Sequence, residues 1–270
     1  MENIYDLVMA RKSVRTFDGN SLRTEDTEKI LRYAETVDNP FGVSVRFQLL
    51  DPVKNGLKSP VLTGETCYLA GICEKAPHAE AAFGYAFEKV VLYAWSLGIG
   101  TVWIGGTMNR DAFEKAVGLH DNERMPCVTP LGYPARKRSV KEIMMRKGLR
   151  ADTRKPVEEL FFQGTWDRPL SKEETEPISD LIEMVRWAPS AVNKQPWRIL
   201  LKDGVYHFYE KRDKGYVSEA VGDMQKIDVG IALCHFALGL EARGEQSEIF
   251  AREPAIEKAA DLEYVASVSK

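Results

Sequence analysis

Two parts of this chain resemble each other, and further matches follow at nearly the same spacing. Residues 31–35 match residues 185–189 at an offset of 154, and residues 84–86 match residues 230–232 at an offset of 146. An offset kept across a helix and the strand after it is poorly explained by chance, and the unit is far longer than a solenoid repeat. The sequence therefore predicts a duplicated subunit fused into one chain, with a site between the two halves.

Composition limits the classes of function open to the chain. Its 270 residues are 44% hydrophobic, which is enough for a sizeable core, and its 37 Lys and Arg against 40 Asp and Glu provide no basic surface for nucleic acid. No apolar run approaches the roughly 20 residues that span a bilayer. The first residues lack the pattern of a signal peptide. We therefore expect a cytoplasmic protein that binds neither nucleic acid nor a membrane.

The spacing of cysteine and histidine argues against a metal site. The four cysteines form no CxxC pair, and the four histidines lack the spacing typical of metal ligands. We expect reduced thiols, no bound metal and a structural role for His235, which lies on a predicted core helix.

Strands and helices are mixed irregularly along the chain, which favours the α+β class over a doubly wound parallel sheet. A helix is predicted over residues 79–97 and a glycine-framed strand over residues 98–106. Residues 136–155 are rich in Arg and Lys and are predicted to form a surface connector. The duplication divides the chain into halves of residues 1–160 and 161–270.

A basic segment near the N-terminus contains candidate anion-binding residues. Arg11, Ser13 and Arg15 alternate along it, so an extended backbone would turn all three to one side, with Lys12 between them. Arginine binds phosphate or carboxylate oxygens in pairs, and serine adds a hydroxyl group. Taken alone, the segment is more simply explained as a solvated basic surface.

A second segment, residues 188–197, ends a helix and crosses two prolines that fix the backbone. It presents Ser190, Asn193 and Gln195 beside Trp197, a set of hydrogen-bonding groups suited to a flat polar heterocycle. An ordinary helix-to-strand connector would account for the prolines but not for the amides.

These two segments, together with residues 97–103 and 132–134, resemble the nitroreductase family of FMN-dependent oxidoreductases. The resemblance covers nearly the whole chain. It implies a nitroreductase-like α+β fold in which each half has a small mixed or antiparallel sheet flanked by helices. In that family the two segments lie close together in one chain, and the partner subunit completes each FMN site. Here more than 170 residues separate them.

The two halves have kept different parts of the family pattern. The first half has residues 35–39 where Pro-Ser-x-x-Asn would stand, and the second half has residues 163–168 in place of the basic cluster. The second half also has Ala251 and Arg252 where the first has two glycines. The resemblance therefore implies one FMN per chain, shared by halves that form an internal pseudo-dimer within a monomer.

The resemblance implies a role for each matching residue. The FMN phosphate, ribityl chain and pyrimidine edge would be held by Arg11, Lys12, Ser13 and Arg15, with Arg154 as a further phosphate ligand. Backbone N–H groups of Gly105 and Gly106 would approach the flavin ring near N5, where the lack of a side chain helps. The second half would add Pro189, Ser190, Ala191, Asn193 and Gln195.

The implied activity needs no catalytic side chain, because the flavin itself carries the redox chemistry. NADPH or NADH would bind transiently as the hydride donor. A nitroaromatic, a quinone or a related small molecule would be the electron acceptor. Two alternatives stay open: a flavin-binding sensor or carrier without turnover, and a flavin-free interaction protein.

Overall fold

The computed structural model describes residues 3–270 of the chain. Its α-helices are α1 Ile4–Ala10, α2 Thr24–Thr36, α3 Pro52–Asn55, α4 Ala79–Ser96, α5 Arg110–Val117, α6 Val140–Gly148, α7 Lys172–Thr175, α8 Ser179–Arg186 and α9 Met224–Ala242. Short 3-10 helices cover Val157–Glu159, Glu176–Ile178 and Ala191–Asn193.

The strands are β1 Val45–Leu50, β2 Tyr68–Glu74, β3 Glu123–Arg124, β4 Val128–Pro130, β5 Phe161–Gln163, β6 Trp197–Lys202, β7 Val205–Lys211, β8 Val217–Ser218, β9 Gly222–Asp223, β10 Glu248–Phe250 and β11 Leu262–Ser269. In an antiparallel sheet, β2 pairs with β1 along one edge and with β3 and β4 along the other. A five-stranded sheet has the order β10-β11-β7-β6-β5, in which β5 joins β6 in parallel, and β8 pairs with β9. The predicted α+β class is confirmed.

Two long helices, α4 and α9, form the centre of the protein. Their buried residues run all round each helix, as expected for helices enclosed on every side. Helix α9 is capped at its N-terminus by Asp223, whose side chain accepts the N–H groups of Gln225 and Lys226. The main apolar core extends from Ile30 in α2 through both helices to Val268 in β11. Within residues 3–270, no helix is both long and apolar enough to cross a membrane.

Helices α4 and α9 touch through a glycine on each. A Cβ added to Gly84 would lie 2.1 Å from the Ile227 carbonyl oxygen, and one added to Gly230 would lie 2.3 Å from the Ala81 carbonyl oxygen. The contacts are reciprocal, because Gly84 to Gly230 and Ala81 to Ile227 are the same offset of 146 residues. A two-fold relation between the helices would produce such a pair of contacts. The duplication itself stays a prediction.

The two larger sheets follow similar strand orders. In the first, β1, β2 and β4 are neighbours, and Ile104 bridges to Val128 of β4. In the second sheet, β6, β7, β11 and β10 are neighbours in that order, so they correspond in position to β1, β2, β4 and the segment at Ile104. Strand β5, which begins just after residue 160, joins the second sheet at its edge. The likeness is one of topology, and the division into residues 1–160 and 161–270 stays a prediction.

The predicted connector, residues 136–155, contains a helix that sequence composition missed. Helix α6 is capped by Ser139, whose Oγ accepts the Glu142 N–H at 3.2 Å. The buried Glu142 carboxylate accepts the Thr16 hydroxyl at 2.8 Å and the Arg15 N–H at 3.3 Å. The helix gave no clear core-facing pattern because several of its apolar residues are exposed. It is nevertheless anchored to the N-terminal basic segment.

The prediction of one continuous strand over residues 98–106 is wrong. The segment makes isolated bridges instead, which join Gly100 to Gly132, Thr101 to Ser13 and Ile104 to Val128. Gly100 and Ile104 bridge to residues 128–132 in one antiparallel register, but between them the Val102 N–H donates to the Thr129 hydroxyl oxygen at 3.0 Å, which interrupts the ladder. The arrangement places this segment between the N-terminal basic segment and β4.

Candidate functional site

A cavity of about 440 Å³ is lined by residues from Arg11 to Ile231, so that both halves of the chain contribute to its wall. Segments far apart in sequence therefore meet at one surface. The residues predicted from the sequence that line it are Arg11, Lys12, Ser13, Arg15, Gly105, Gly106, Arg154, Pro189, Ser190, Ala191 and Asn193.

Arg11 is a buried cation of this wall. It follows the last turn of α1, and its side chain is 4% exposed. Its Nε lies 3.8 Å from Glu88 Oε1. Burial lowers the pKa of the Arg11 guanidinium, and the Glu88 carboxylate opposes that shift. The group remains a cation, because arginine is not deprotonated in proteins.

Glu88, on α4, lies behind this part of the cavity wall and contacts Arg11 and Trp103, which line it. One oxygen accepts the Trp103 indole N–H at 2.9 Å, and the other lies 3.0 Å from His235 Nε2. His235 Nδ1 lies 2.8 Å from the Met184 carbonyl oxygen, which can only accept, so Nδ1 carries a hydrogen. A further proton must then lie between His235 and Glu88. These contacts fit the structural role predicted for His235.

Three more arginines line the cavity: Arg15, Arg146 and Arg154. Arg146 pairs with Asp152, and Arg154 stacks on Trp187 with its guanidinium carbon 4.1 Å from the ring centroid. Burial, followed by the charge of the nearby Arg11, lowers the pKa of Arg154 to about 10. Burial is also the main cause that lowers the pKa of Arg15, with Arg146 and Arg11 adding to it. An anion bound among these cations would relieve their repulsion.

Several N–H groups of this arginine cluster have no acceptor within residues 3–270. They are Nε and Nη1 of Arg11, Nη1 of Arg15 and Nε of Arg154. Buried polar atoms are nearly always hydrogen-bonded, and an unpaired buried donor costs about 1–3 kcal/mol or more. The cluster is therefore suited to a ligand with several acceptor oxygens, such as a phosphate group.

The segment after Pro189 has an unusual backbone. Val192, Asn193 and Gln195 have φ angles of 45°, 59° and 50°, in the left-handed region that residues other than glycine seldom adopt. The β-branched Val192 is the least suited of the three. Backbone strain of this kind persists only where the surroundings impose it, and it clusters at ligand sites.

Gln195 does not line the cavity, unlike the other residues predicted to bind the cofactor. Its amide oxygen accepts the Lys155 N–H at 2.8 Å, and its amide nitrogen donates to the Asn193 carbonyl oxygen at 3.2 Å. Asn193 Nδ2 donates in turn to the Arg150 carbonyl oxygen at 2.8 Å. These bonds tie the strained segment to the chain after α6, so Gln195 supports the wall from behind.

Replacement of Val192 by Asn should stabilise the protein. Asn tolerates left-handed backbone, and because Val192 is 54% exposed, little buried apolar surface is lost. We expect Val192→Asn to raise the free energy of unfolding by about 1 kcal/mol in urea titrations. Val217→Asn is a matched control, since Val217 is 58% exposed and lies in β8. A gain at both positions, or at neither, would contradict the strain argument.

Gly105 and Gly106 are glycine for different reasons. A Cβ at Gly105 would lie 2.5 Å from Met224 Cε and 3.2 Å from Cys127 Sγ, so Met224 would have to move to make room for it. A Cβ at Gly106 would meet no atom within 4 Å. The wall is therefore open to a ligand at Gly106 and closed by Met224 behind Gly105.

Sequence reasoning missed three residues that shape the cavity: Glu88, Arg146 and Asp228. Glu88 and Asp228 are acidic residues in the largely apolar helices α4 and α9. An acidic residue at a buried position of such a helix indicates that its side chain bonds to another buried group. Arg146 lies in the stretch predicted to be a connector, where neighbouring basic residues concealed it.

Across residues 3–270, no three His, Cys, Asp or Glu side chains come together in a way that could hold a metal ion. Cys67, Cys73, Cys127 and Cys234 are free thiols.

Comparison with known proteins finds likeness over nearly the whole chain. A family model described as "Putative TM nitroreductase" matches residues 3–240. The solved structure of a "putative nitroreductase" from Thermotoga maritima MSB8 is 21% identical and has a TM-score of 0.62. The match covers 98% of this chain and 93% of that one, and it shows a common fold.

A curated relative matches over a shorter stretch. The "Putative NAD(P)H nitroreductase YfhC" of Bacillus subtilis strain 168 is 38% identical over 63 residues. The match covers 23% of this chain and 32% of the relative, about a third of that protein's length.

Proposed function

The chain belongs to the family described as "Putative TM nitroreductase", and from that premise we propose that it is an FMN-dependent oxidoreductase. Bound FMN would supply the redox chemistry, by which hydride from NADPH or NADH reduces a nitroaromatic, a quinone or a related small molecule. One chain would hold one FMN and would act as a monomer with an internal pseudo-dimer. Family membership and the charge of the cavity support the proposal.

The arginine cluster is the observation that carries the proposal. Arg11, Arg15 and Arg154 line one cavity, and each has a buried N–H donor without a partner in residues 3–270; Arg146 adds a fourth guanidinium group. A phosphate dianion offers enough acceptor oxygens for these donors and offsets their mutual repulsion. The cavity volume of about 440 Å³ lies within the roughly 300–1,000 Å³ typical of small-molecule sites. The residues present therefore fit the phosphate end of FMN.

The rest of the wall suits a flat ring with polar edges. Ser190 and Asn193 provide a hydroxyl and an amide, and the position of Gly106 leaves space for close approach. Met145 and Leu149, from α6 and the residue after it, cover part of the cavity with apolar surface. In the proposal these residues orient the cofactor and exclude water from it.

FMN binding is the first test, read from the visible spectrum of protein incubated with FMN and then desalted. We expect flavin absorbance to remain with the protein. Arg15→Ala should weaken FMN binding by about 10- to 150-fold, because a hydrogen bond from a charged group contributes about 1.5–3 kcal/mol. Quenching of flavin fluorescence during titration measures the dissociation constant.

Lys147→Ala is the matched control for this titration, since Lys147 is an exposed cation on α6 that does not line the cavity. Its affinity for FMN should equal that of the unmodified protein. Loss of all absorbance on desalting, or equal affinities of Arg15→Ala and Lys147→Ala, would contradict the proposal.

Reaction with a nicotinamide then separates an enzyme from a carrier. Under anaerobic conditions, NADPH or NADH should bleach the flavin absorbance, and a quinone or a nitroaromatic should restore it. Bound flavin that neither nicotinamide bleaches would instead support a flavin-binding protein without turnover.

A further inference from the structure

One carboxyl group in the cavity wall has no cationic partner. Asp228 lies on α9, is 3% exposed and lines the cavity. Both of its oxygens accept the same Ala191 N–H, at 3.1 and 3.0 Å. Of the cations that line the cavity, Arg11 pairs with Glu88 and Arg146 with Asp152, and none pairs with Asp228. Within residues 3–270, Asp228 takes part in no ion pair.

The surroundings of Asp228 favour its protonated form. Burial raises the pKa of Asp228 well above its ordinary value, and the negative charges of Asp223 and Glu210 act in the same direction. The Ala191 N–H opposes this shift. Cys127, which also lines the cavity, remains a neutral thiol because burial raises its pKa too. Burial and the groups on β9 and β7 thus favour a neutral carboxylic acid.

A protonated Asp228 has a hydrogen to donate and no acceptor for it in the described chain. When one oxygen accepts the Ala191 N–H, the other carries the O–H group, which has no partner among residues 3–270. Met224 and Ile231 lie about one turn before and after Asp228 on α9, and both also line the cavity. Because Asp228 lines the cavity, a ligand there that offers an acceptor atom can receive this hydrogen.

Asp228 lines the same cavity as the part of the wall that is open to a ligand. Met224 Cε lies 2.5 Å from where a Gly105 Cβ would stand, so this face of α9 packs directly behind Gly105. Gly106, the next residue, has open space beside it. A buried carboxyl group and an accessible backbone therefore line the same cavity.

We propose that Asp228 donates the proton that a quinone requires when it is reduced in this cavity, an inference that rests on the proposed oxidoreductase function. A quinone becomes a hydroquinone by gaining one hydride and one proton. The hydride comes from the nicotinamide by way of the flavin. The Asp228 O–H bond breaks, a new O–H bond forms on the quinone oxygen, and the resulting aspartate regains a proton from water. One side chain then takes part in catalysis, contrary to the expectation of none.

Asp228→Asn separates proton donation from a structural role. The Asn side-chain oxygen can still accept the Ala191 N–H, so a merely structural function would survive the substitution. The amide has nearly the same shape but cannot transfer a proton. Glu241→Gln is the matched control, since Glu241 is an exposed carboxylate on the same helix.

The first measurement needs no flavin. An acid whose pKa is raised by folding stabilises the protein while protonated, and this stability is lost as the pH rises through the folded-state pKa. From about pH 5 to 9, the Tm of the unmodified protein should therefore fall relative to that of Asp228→Asn. Glu210, whose pKa is raised to about 8, is present in both proteins, so its titration contributes to both curves. A Tm difference independent of pH would overturn the proposal.

The second measurement uses the FMN-loaded protein in stopped flow. Bleaching by NADPH or NADH should be equal in the unmodified protein and Glu241→Gln. Reoxidation by a quinone should slow by about 100-fold in Asp228→Asn alone, and its decline with rising pH should disappear there. Equal reoxidation rates in Asp228→Asn and the unmodified protein would overturn the proposal.

If Asp228→Asn fails to fold, a missing solvent isotope effect on reoxidation of the unmodified protein would overturn it instead. A protein that binds no FMN contradicts the proposed function, which the absorbance shows separately.

Discussion

Replacement of Glu88 by Ala should lower the free energy of unfolding by about 3–5 kcal/mol. Glu88 is fully buried, accepts the Trp103 indole N–H and lies between Arg11 and His235. Its removal would leave a buried guanidinium without a counter-charge and two ring groups without a partner. Equilibrium unfolding in urea measures the loss.

Two controls distinguish the charge of Glu88 from its hydrogen bonds. Glu88→Gln keeps an acceptor for Trp103 and a donor for His235, so it should cost less than Glu88→Ala. Glu28→Ala removes the partner of Arg32 at the surface, where the side chains are 60% and 70% exposed, and should change stability by less than about 1 kcal/mol. A loss in Glu88→Ala as small as that in Glu28→Ala would contradict the buried network.

Gly84→Ala and Gly230→Ala should each destabilise the protein by about 3 kcal/mol. The new methyl group would meet a backbone carbonyl oxygen of the opposite helix at 2.1 or 2.3 Å, and a backbone atom cannot rotate away. Helices α4 and α9 would have to separate along the centre of the core. The two losses should be similar because the contacts are reciprocal. The double variant should lose less than their sum, since one separation relieves both clashes.

Gly148→Ala is the control for these glycine substitutions. Gly148 ends α6, and an added Cβ there would meet no atom within 4 Å. Alanine favours a helix over glycine by up to about 1 kcal/mol, so this variant should be neutral or slightly stabilised in the same urea titration. Clearly unequal losses at Gly84 and Gly230, or losses no larger than at Gly148, would contradict the close approach of the helices.

The parts of the site that could be predicted are those with a local sequence signal. The basic segment from Arg11 to Arg15 and the proline-bounded segment around Ser190 each show their chemistry within a few residues. Alone, either segment had a simpler explanation, as a solvated surface or as a connector. The family resemblance joined them, and the cavity brings both together.

The parts that could not be predicted depend on partners far away in the sequence. Glu88 is explained by His235, 147 residues later, and no local periodicity shows that pairing. Helix α6 escaped prediction because it is held by Glu142 against Thr16, 126 residues away, and not by an apolar face. The left-handed backbone at Val192 contradicts local preference altogether, since the surrounding fold imposes it.

The residues of the cavity wall extend in sequence from Arg11 to Ile231, so the wall can form only late in synthesis of the chain. A ribosome must release nearly the whole chain before α9 can cover α4 and close the wall. Until then the nascent chain exposes the apolar surface of α4, and contacts between such distant residues form slowly. Newly made chains should therefore depend on protection from aggregation until their last third has emerged.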